Sequence, residues 1–355
     1  MSTATALTEK PTRDYKAYQH PLWRRLLINR EAAIIGLLIL VVIVAMLTVP
    51  NFDSPLTMTF LIREIAPILL IALPMTLIII TEEIDLSVAS ILGLSSVVTG
   101  LGVQAGWPLP VAGLVAILVG VLAGVINGSL ITFVGLPSLA VTIGTLALFR
   151  GIAVGLLGTT AISEFPEYWT DLARANIPGT PVPLIIVPFI VLAIVFAVLL
   201  HFTPFGRSLY TIGLNKEVAA FSGIDVRMTK FWLFVMSGTV SGFAGVYFTL
   251  LYNNARGDNA IGMELLIIAS VLLGGVSIFG GRGALHGVIA GVFLIGTMSS
   301  ALRLAGVTSD IINVITGTVL ILSVVSASFL AWIRTNRIAA IGRKKGQAGS
   351  TGAPA

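Results

Sequence analysis

The sequence contains no cysteine and only three histidines in 355 residues, so disulfides, thiol nucleophiles and cysteine-ligated metals are excluded. Charge is almost as scarce: Asp, Glu, Lys and Arg make up 10% of the chain, against about 25% in an ordinary soluble domain. No G-x-x-x-x-G-K-[ST] phosphate loop occurs, which argues against nucleotide hydrolysis by this chain. His286 has no second histidine or acid at ligand spacing, so no metal centre is expected. Nor does any set of nucleophile, base and orienting group stand out, and the chain is read as non-enzymatic.

What is abundant is apolar length. Hydrophobic residues make up 56% of the chain and the mean hydropathy is +1.00, which makes lipid the natural solvent. A bilayer core of about 30 Å needs about 20 apolar residues per helical crossing. Ten apolar segments satisfy or approach this, near 32–49, 61–81, 86–106, 110–133, 138–157, 182–200, 231–252, 263–279, 286–302 and 311–333. The expected fold is an all-α polytopic membrane protein of about ten transmembrane helices. The fifth, eighth and ninth segments are short or rich in glycine, and are candidates for half-helices that enter and leave on one side. The first run is longer than a signal-peptide core and is read as a retained helix.

Charge sets the orientation. Fifteen of the 21 basic residues lie in three places: the N-terminal tail, the loop after the sixth segment (Arg207, Lys216, Arg227, Lys230) and the C-terminal tail. An even number of crossings puts all three on one side, which the positive-inside rule makes cytoplasmic. The basic excess, +5 overall, is therefore an orientation signal, and a nucleic-acid partner is not expected. Trp23, Trp107, Trp232 and Trp332 fall at predicted helix ends, where an amphipathic ring suits the headgroup layer. The chain divides into a tail over 1–31, one membrane domain over 32–333 with a cytoplasmic loop at 206–230, and a basic tail over 334–355.

Three segments carry more than hydrophobicity. In Thr81–Ser90 three acids, Glu82, Glu83 and Asp85, separate two spans. Either this is a tight turn with Asp85 and Ser87 capping the next helix, or it is a broken helix whose polar backbone lines a route through the membrane. The loop around Asn215–Phe221 has helix-forming residues with Val218, Ala219 and Phe221 on an apolar side, and Gly223 suits a helix end. Such a helix lies on the lipid surface or docks into a groove of a partner. From 262 to 287, Gly274, Gly275, Gly280, Gly281 and Gly283 permit close helix packing or re-entrant bends, with Glu264 ahead of them. The pair Gly124/Gly128 reads as a helix-packing face.

At these three segments the sequence resembles the permease subunit of bacterial ATP-binding-cassette sugar importers of the ribose, arabinose and rhamnose type. The likeness is carried by Ile84, Asp85, Leu86, Ser87, Val88, Ala89 and Ser90. It continues in Gly213, Asn215, Ala219, Ala220, Ser222, Gly223 and Ile224, and then in Glu264, Leu265 and the glycines from 274 to 283. Glu82 and Glu83 depart from it, standing where the family has small residues, and Ala89 replaces a glycine.

The resemblance implies a multi-pass protein of the bacterial inner membrane, in a core of two permeases (a second copy or a paralogue). Two ATPase subunits that bind the ATP and Mg lie beneath the core, and a periplasmic sugar-binding protein sits above. This chain itself would bind no cofactor. Gly213, Asn215, Glu217, Ala219, Ala220, Ser222, Gly223 and Ile224 are then the ATPase-coupling element. Asp85, Ser87, Ser90 and Glu264 are placed on the substrate pathway, and the cargo is a monosaccharide, rhamnose-like, ribose-like or autoinducer-2-like. An inverted repeat, segments 2–5 against 7–10, is also implied. The rival reading is an ion-coupled secondary transporter, which needs buried ionisable groups. Within the spans only Arg63, Glu64 and Arg150 offer themselves.

Overall fold

A computed structural model describes residues 30–319 and 321. The basic tails, Trp23, Trp332 and the end of the tenth predicted segment lie outside the described residues. Twelve named helices follow one another: α1 (Arg30–Thr48), α2 (Pro55–Ile80), α3 (Val88–Gln104), α4 (Leu109–Thr132), α5 (Ser138–Leu157), α6 (Glu167–Arg174), α7 (Ile186–Phe202), α8 (Pro204–Leu214), α9 (Lys216–Phe221), α10 (Val226–Tyr252), α11 (Met263–Leu273) and α12 (Leu285–Leu304). Residues 309–319 are again helical. Among the described residues no β-strand occurs. The molecule is an all-α polytopic membrane protein, and six of these helices are long and apolar enough to cross a bilayer, or seven if α7 and α8, bent by 68°, count as one.

Each of the first nine predicted segments corresponds to a helix, and the described part of the tenth is helical. The fifth and ninth, expected as candidate half-helices, are continuous 20-residue helices. The eighth is a half-helix: α11 has 11 residues and gives way at Gly274 to a loop. The third is also short at 17 residues, because the chain leaves helical geometry between Ile80 and Val88. Apart from α7, whose 17 residues are continued by α8 as one bent span, the short helices are third and eighth among the segments. These are corresponding positions if segments 2–5 and 7–10 are repeats, the arrangement in which interrupted helices flank a transport site.

The core is built on α2, whose residues from Ile65 to Ile80 are all buried. A helix apolar on every side belongs in the middle of a bundle, and α10, α12 and α7 pack round it. Its partner in the centre, α10, meets α4 at backbone contact distance. A Cβ on Gly120 would lie 2.9 Å from the Gly242 Cα, and one on Gly124 would lie 2.9 Å from the Val235 Cα. The face expected at Gly124/Gly128 therefore does pack a helix, and it extends one turn further to Gly120. Small residues let two backbones approach without side chains between them, which is the main source of helix association in lipid.

Candidate functional site

The non-helical stretch after α2 is where backbone groups most need partners, since an unsatisfied one inside a membrane protein costs several kcal/mol. Several of the groups there find partners in the end of α2 and in α5. Glu82 N donates to Ile79 O (2.9 Å) and Glu83 N to Ile78 O (3.3 Å), the paired pattern that closes a helix with a left-handed residue. That residue is Glu82, at φ 64, a conformation glycine adopts freely and other residues rarely. Ile84 is held by α5 on both sides. Its N–H donates to Ser138 Oγ (3.3 Å), and its carbonyl accepts from Thr142 Oγ1 (3.3 Å).

The acids of this stretch separate into two layers. Asp85 is 1% exposed and receives three hydrogen bonds but no cation. Its Oδ1 accepts from Ser87 N (3.0 Å) and Ser87 Oγ (2.6 Å), and its Oδ2 accepts from Ser237 Oγ of α10 (2.9 Å). Ser87 Oγ in turn accepts from Asn127 Nδ2 of α4 (2.8 Å). The network is thus a three-helix lock within the protein interior. It is not the helix cap expected of Asp85 and Ser87: Ser87 is the N-cap residue of α3 but its side chain makes no cap bond, and Asp85 accepts from Ser87 itself. Ser90, also buried, donates to Ser87 O (2.7 Å).

Two turns closer to the start of α10, Glu83 Oε1 accepts from Lys230 Nζ and from Lys216 Nζ, the latter at 3.3 Å; Lys216 Nζ also lies 3.8 Å from Glu82 Oε2. The side chains of Glu83 and Lys230 are 10% and 9% exposed, whereas those of Lys216 and Glu82 are about half exposed. Burial works to raise the Glu83 carboxyl, but Lys230 and Lys216 outweigh it and hold the group below its ordinary value. Lys216 is drawn the other way: burial alone would lower the amine, and Glu83 raises it overall. Two acids and two lysines cancel in charge. They line a cavity of about 500 Å³ together with Pro137 and Ser138.

Lys216 is also the first residue of α9, and this joins the acidic stretch to the second motif. Asn215 caps α9, its Oδ1 accepting from Glu217 N and Val218 N at 2.9 Å. Gly223, at φ 82, ends it: Gly223 N donates to Ala220 O (3.0 Å) and Ile224 N to Ala219 O (3.1 Å). Ala219 faces inward at 0% exposure, whereas Val218 and Phe221 are 55% and 92% exposed. Glu217, Ala220 and Ser222 are exposed as well. The apolar side expected for this helix therefore divides, with two of its three members pointing away from the protein.

The third motif arrives at the same place. Gly281 N donates to Ile80 O at the end of α2 (2.8 Å). A Cβ on Gly280 would lie 2.9 Å from the Gly213 Cα, at the end of α8. Gly275, Gly280, Gly281 and Gly283 all have positive φ, so this loop requires glycine for its conformation as well as its packing. Gly274 packs against Val288 of α12. Tyr210 Oη of α8 donates to Gly283 O (2.9 Å). Three segments separated by more than 50 residues each thus meet at one junction.

Glu264 is not part of it. It lies half-buried in the first turn of α11 and makes no side-chain hydrogen bond among the described residues. The sequence reading also missed Lys216 and Lys230 as site residues, counting them only toward orientation. The signal was available, since two acids with no explanation faced the one basic loop.

Residues 57–324 match the family described as the permease component of branched-chain amino acid transport systems. The chain belongs to that permease family. It is 34% identical over 312 residues to the autoinducer 2 import system permease protein LsrD of Salmonella typhimurium (strain LT2), covering 86% of this chain and 93% of that one. It is 38% identical over 265 residues to the LsrD protein of Escherichia coli O157:H7, covering 73% and 80%. No solved structure matches the chain significantly. In this permease the three motifs share one junction, at the ends of α2 and α8 and the glycine loop after α11.

Proposed function

We propose that this permease is the membrane-spanning subunit of a bacterial inner-membrane importer driven by separate ATP-hydrolysing subunits. It passes a small polyhydroxylated solute, autoinducer 2 or a related monosaccharide, from a periplasmic binding protein to the cytoplasm. The relatives' import of autoinducer 2 supports the cargo. The observation that carries the reading is α9: a short, doubly capped helix that turns Val218 and Phe221 outward while its first residue is tied to the buried Glu83–Lys230 pair. A rigid helix with an exposed aromatic anchor fits a groove on a partner. Closure of the ATPase pair would displace α9, and Lys216 and Gly213 would carry the displacement to the ends of α2 and α10. The chain binds no nucleotide and needs only two packings of similar energy for its partners to bias.

The second permease subunit packs on α5. Among the bulky exposed residues of that helix, such as Leu139, Ile143, Leu148 and Ile152, runs one stripe of small ones, Ala140, Gly144, Ala147, Gly151 and Gly155, with open space around its three glycines. Lipid-facing sides are usually bulky, whereas small residues in line suit a close helix neighbour. The ionisable groups that a secondary transporter would use have structural partners instead. Glu64 pairs with Arg303 at 2.7 Å, and Arg63 donates to Arg174 O and Asn176 Oδ1.

The test is co-purification of the ATPase subunit with Phe221→Ala. A centrally placed aromatic anchor contributes about 2 kcal/mol or more, so association is expected to weaken at least about 30-fold. Undiminished association, with α9 instead binding empty liposomes, would assign the helix to the lipid surface.

A further inference from the structure

The glycine loop between α11 and α12 carries one large side chain that its own packing does not use. Phe279 is 71% exposed, yet the backbone around it is tied. Ser277 N donates to Arg282 O and Gly280 N to Ser277 O, both at 3.0 Å, and Phe279 N donates to Ser277 Oγ (3.3 Å). Two residues on, Gly281 N is bonded to the end of α2 (2.8 Å). The loop therefore holds an aromatic ring away from the protein on a fixed frame.

Beside that ring lies the surface around α9. A Cβ on Gly281 would lie 2.7 Å from Leu214 Cδ2, at the end of α8, and Leu214 is itself 69% exposed. Two residues after Leu214 begins α9, six residues and about 9 Å long, with Val218 and Phe221 outward. Arg207, Lys216, Arg227 and Arg282, on these same elements and at the start of α10, are exposed as well. Exposed apolar side chains thus run from the glycine loop across the end of α8 to α9, among basic neighbours. An amphipathic surface that lies on lipid needs apolar area but no set loop geometry. A protein groove gains from aromatic anchors whose positions are fixed beforehand, because less freedom is lost on binding.

We propose that Phe279 and Leu214 extend the α9 surface into one docking face for the ATPase subunit, with Phe221 and Phe279 as its two aromatic anchors. The partner surface that fits is an apolar groove rimmed by acidic residues. This inference deepens the importer reading and rests on it. Its consequence is mechanical. The loop that bears Phe279 continues the interrupted helix α11 and is bonded to the end of α2. A partner that grips both anchors displaces α11 directly, in step with α9, rather than through Lys216 and Glu83 alone.

The experiment uses the complete importer in nanodiscs, with a photoreactive benzophenone amino acid at position 279 or, separately, at position 221. Irradiation should link both positions to the ATPase subunit, identified by mass spectrometry. Phe279→Ala should weaken ATPase association about 30-fold, the loss of one aromatic anchor. The ring is exposed, so its truncation empties no core, and the variant should still elute as a monodisperse species. Links from position 279 to lipid or to the second permease only, with position 221 still linked to the ATPase, would overturn the proposal. Undiminished ATPase association by Phe279→Ala would do the same. If neither position links to the ATPase and none co-purifies, the importer reading itself fails, and the proposal with it.

Discussion

Glu83→Gln is expected to destabilise the permease strongly, and the geometry sets how much. Glu83 and Lys230 are each about one-tenth exposed, so the substitution leaves the Lys230 ammonium buried without its counter-charge. Removing one member of a buried pair costs about 3–5 kcal/mol. Lys216→Ala removes the same carboxylate's second partner, but from a side chain that is 45% exposed. Such a contact contributes at most about 1 kcal/mol. Glu83→Leu combined with Lys230→Met replaces both charges by apolar groups and should lie within about 1 kcal/mol of wild type or above it. The assay is denaturant unfolding of the purified chain in detergent, followed by tryptophan fluorescence, with the three variants compared with the wild type. If Glu83→Gln costs no more than Lys216→Ala, the buried pair is not holding α10 to the end of α2, and the reasoning fails.

The same joint predicts a pH window. Glu83 is held below its ordinary 4.5, so its stabilisation is complete above that value and fades as pH falls through the depressed folded value. Lys216 is held above its ordinary 10.5, so its stabilisation is complete below that value and fades as pH rises beyond it. Stability against pH should therefore fall off more shallowly on the acid side in Glu83→Gln than in wild type, and an identical acid limb would contradict this. Glu82→Gly relieves a left-handed φ and should stabilise the chain by about 1 kcal/mol, read in the same unfolding assay. A loss instead would mean that the Lys216 contact matters more than the backbone. Gly124→Leu inserts a side chain where α4 and α10 backbones touch, and should abolish a folded, monodisperse protein in size-exclusion chromatography.

The ten segments, their order and the acidic, loop-helix and glycine motifs were all legible in the sequence, because lipid forces long apolar runs and because caps and glycines mark where runs stop. Continuity was harder to read. Glycine at 144, 151 and 155 made α5 resemble a broken helix, yet those glycines lie on an outward side and leave the helix intact. In α11 the glycines come together after residue 273 and do end it. Hydropathy measures both alike and cannot tell a helix made thin for a neighbour from one that stops. Long-range pairing was the other blind spot. Arg150 stood alone in sequence because its acceptors are main-chain carbonyls 61, 107 and 109 residues away, and carbonyls have no residue identity to notice. The departure at Glu82 and Glu83 became intelligible only when Lys216 and Lys230, 133 and 147 residues from Glu83, were found against it.

The source of the driving force is the central claim, and uptake by sealed proteoliposomes tests it most directly. With the ATPase subunits, the second permease and the binding protein present, solute should accumulate against its gradient when ATP is supplied, and an uncoupler should not reduce it. Accumulation by the permease alone, collapsing when the ion gradient is dissipated and indifferent to ATP, would contradict the account.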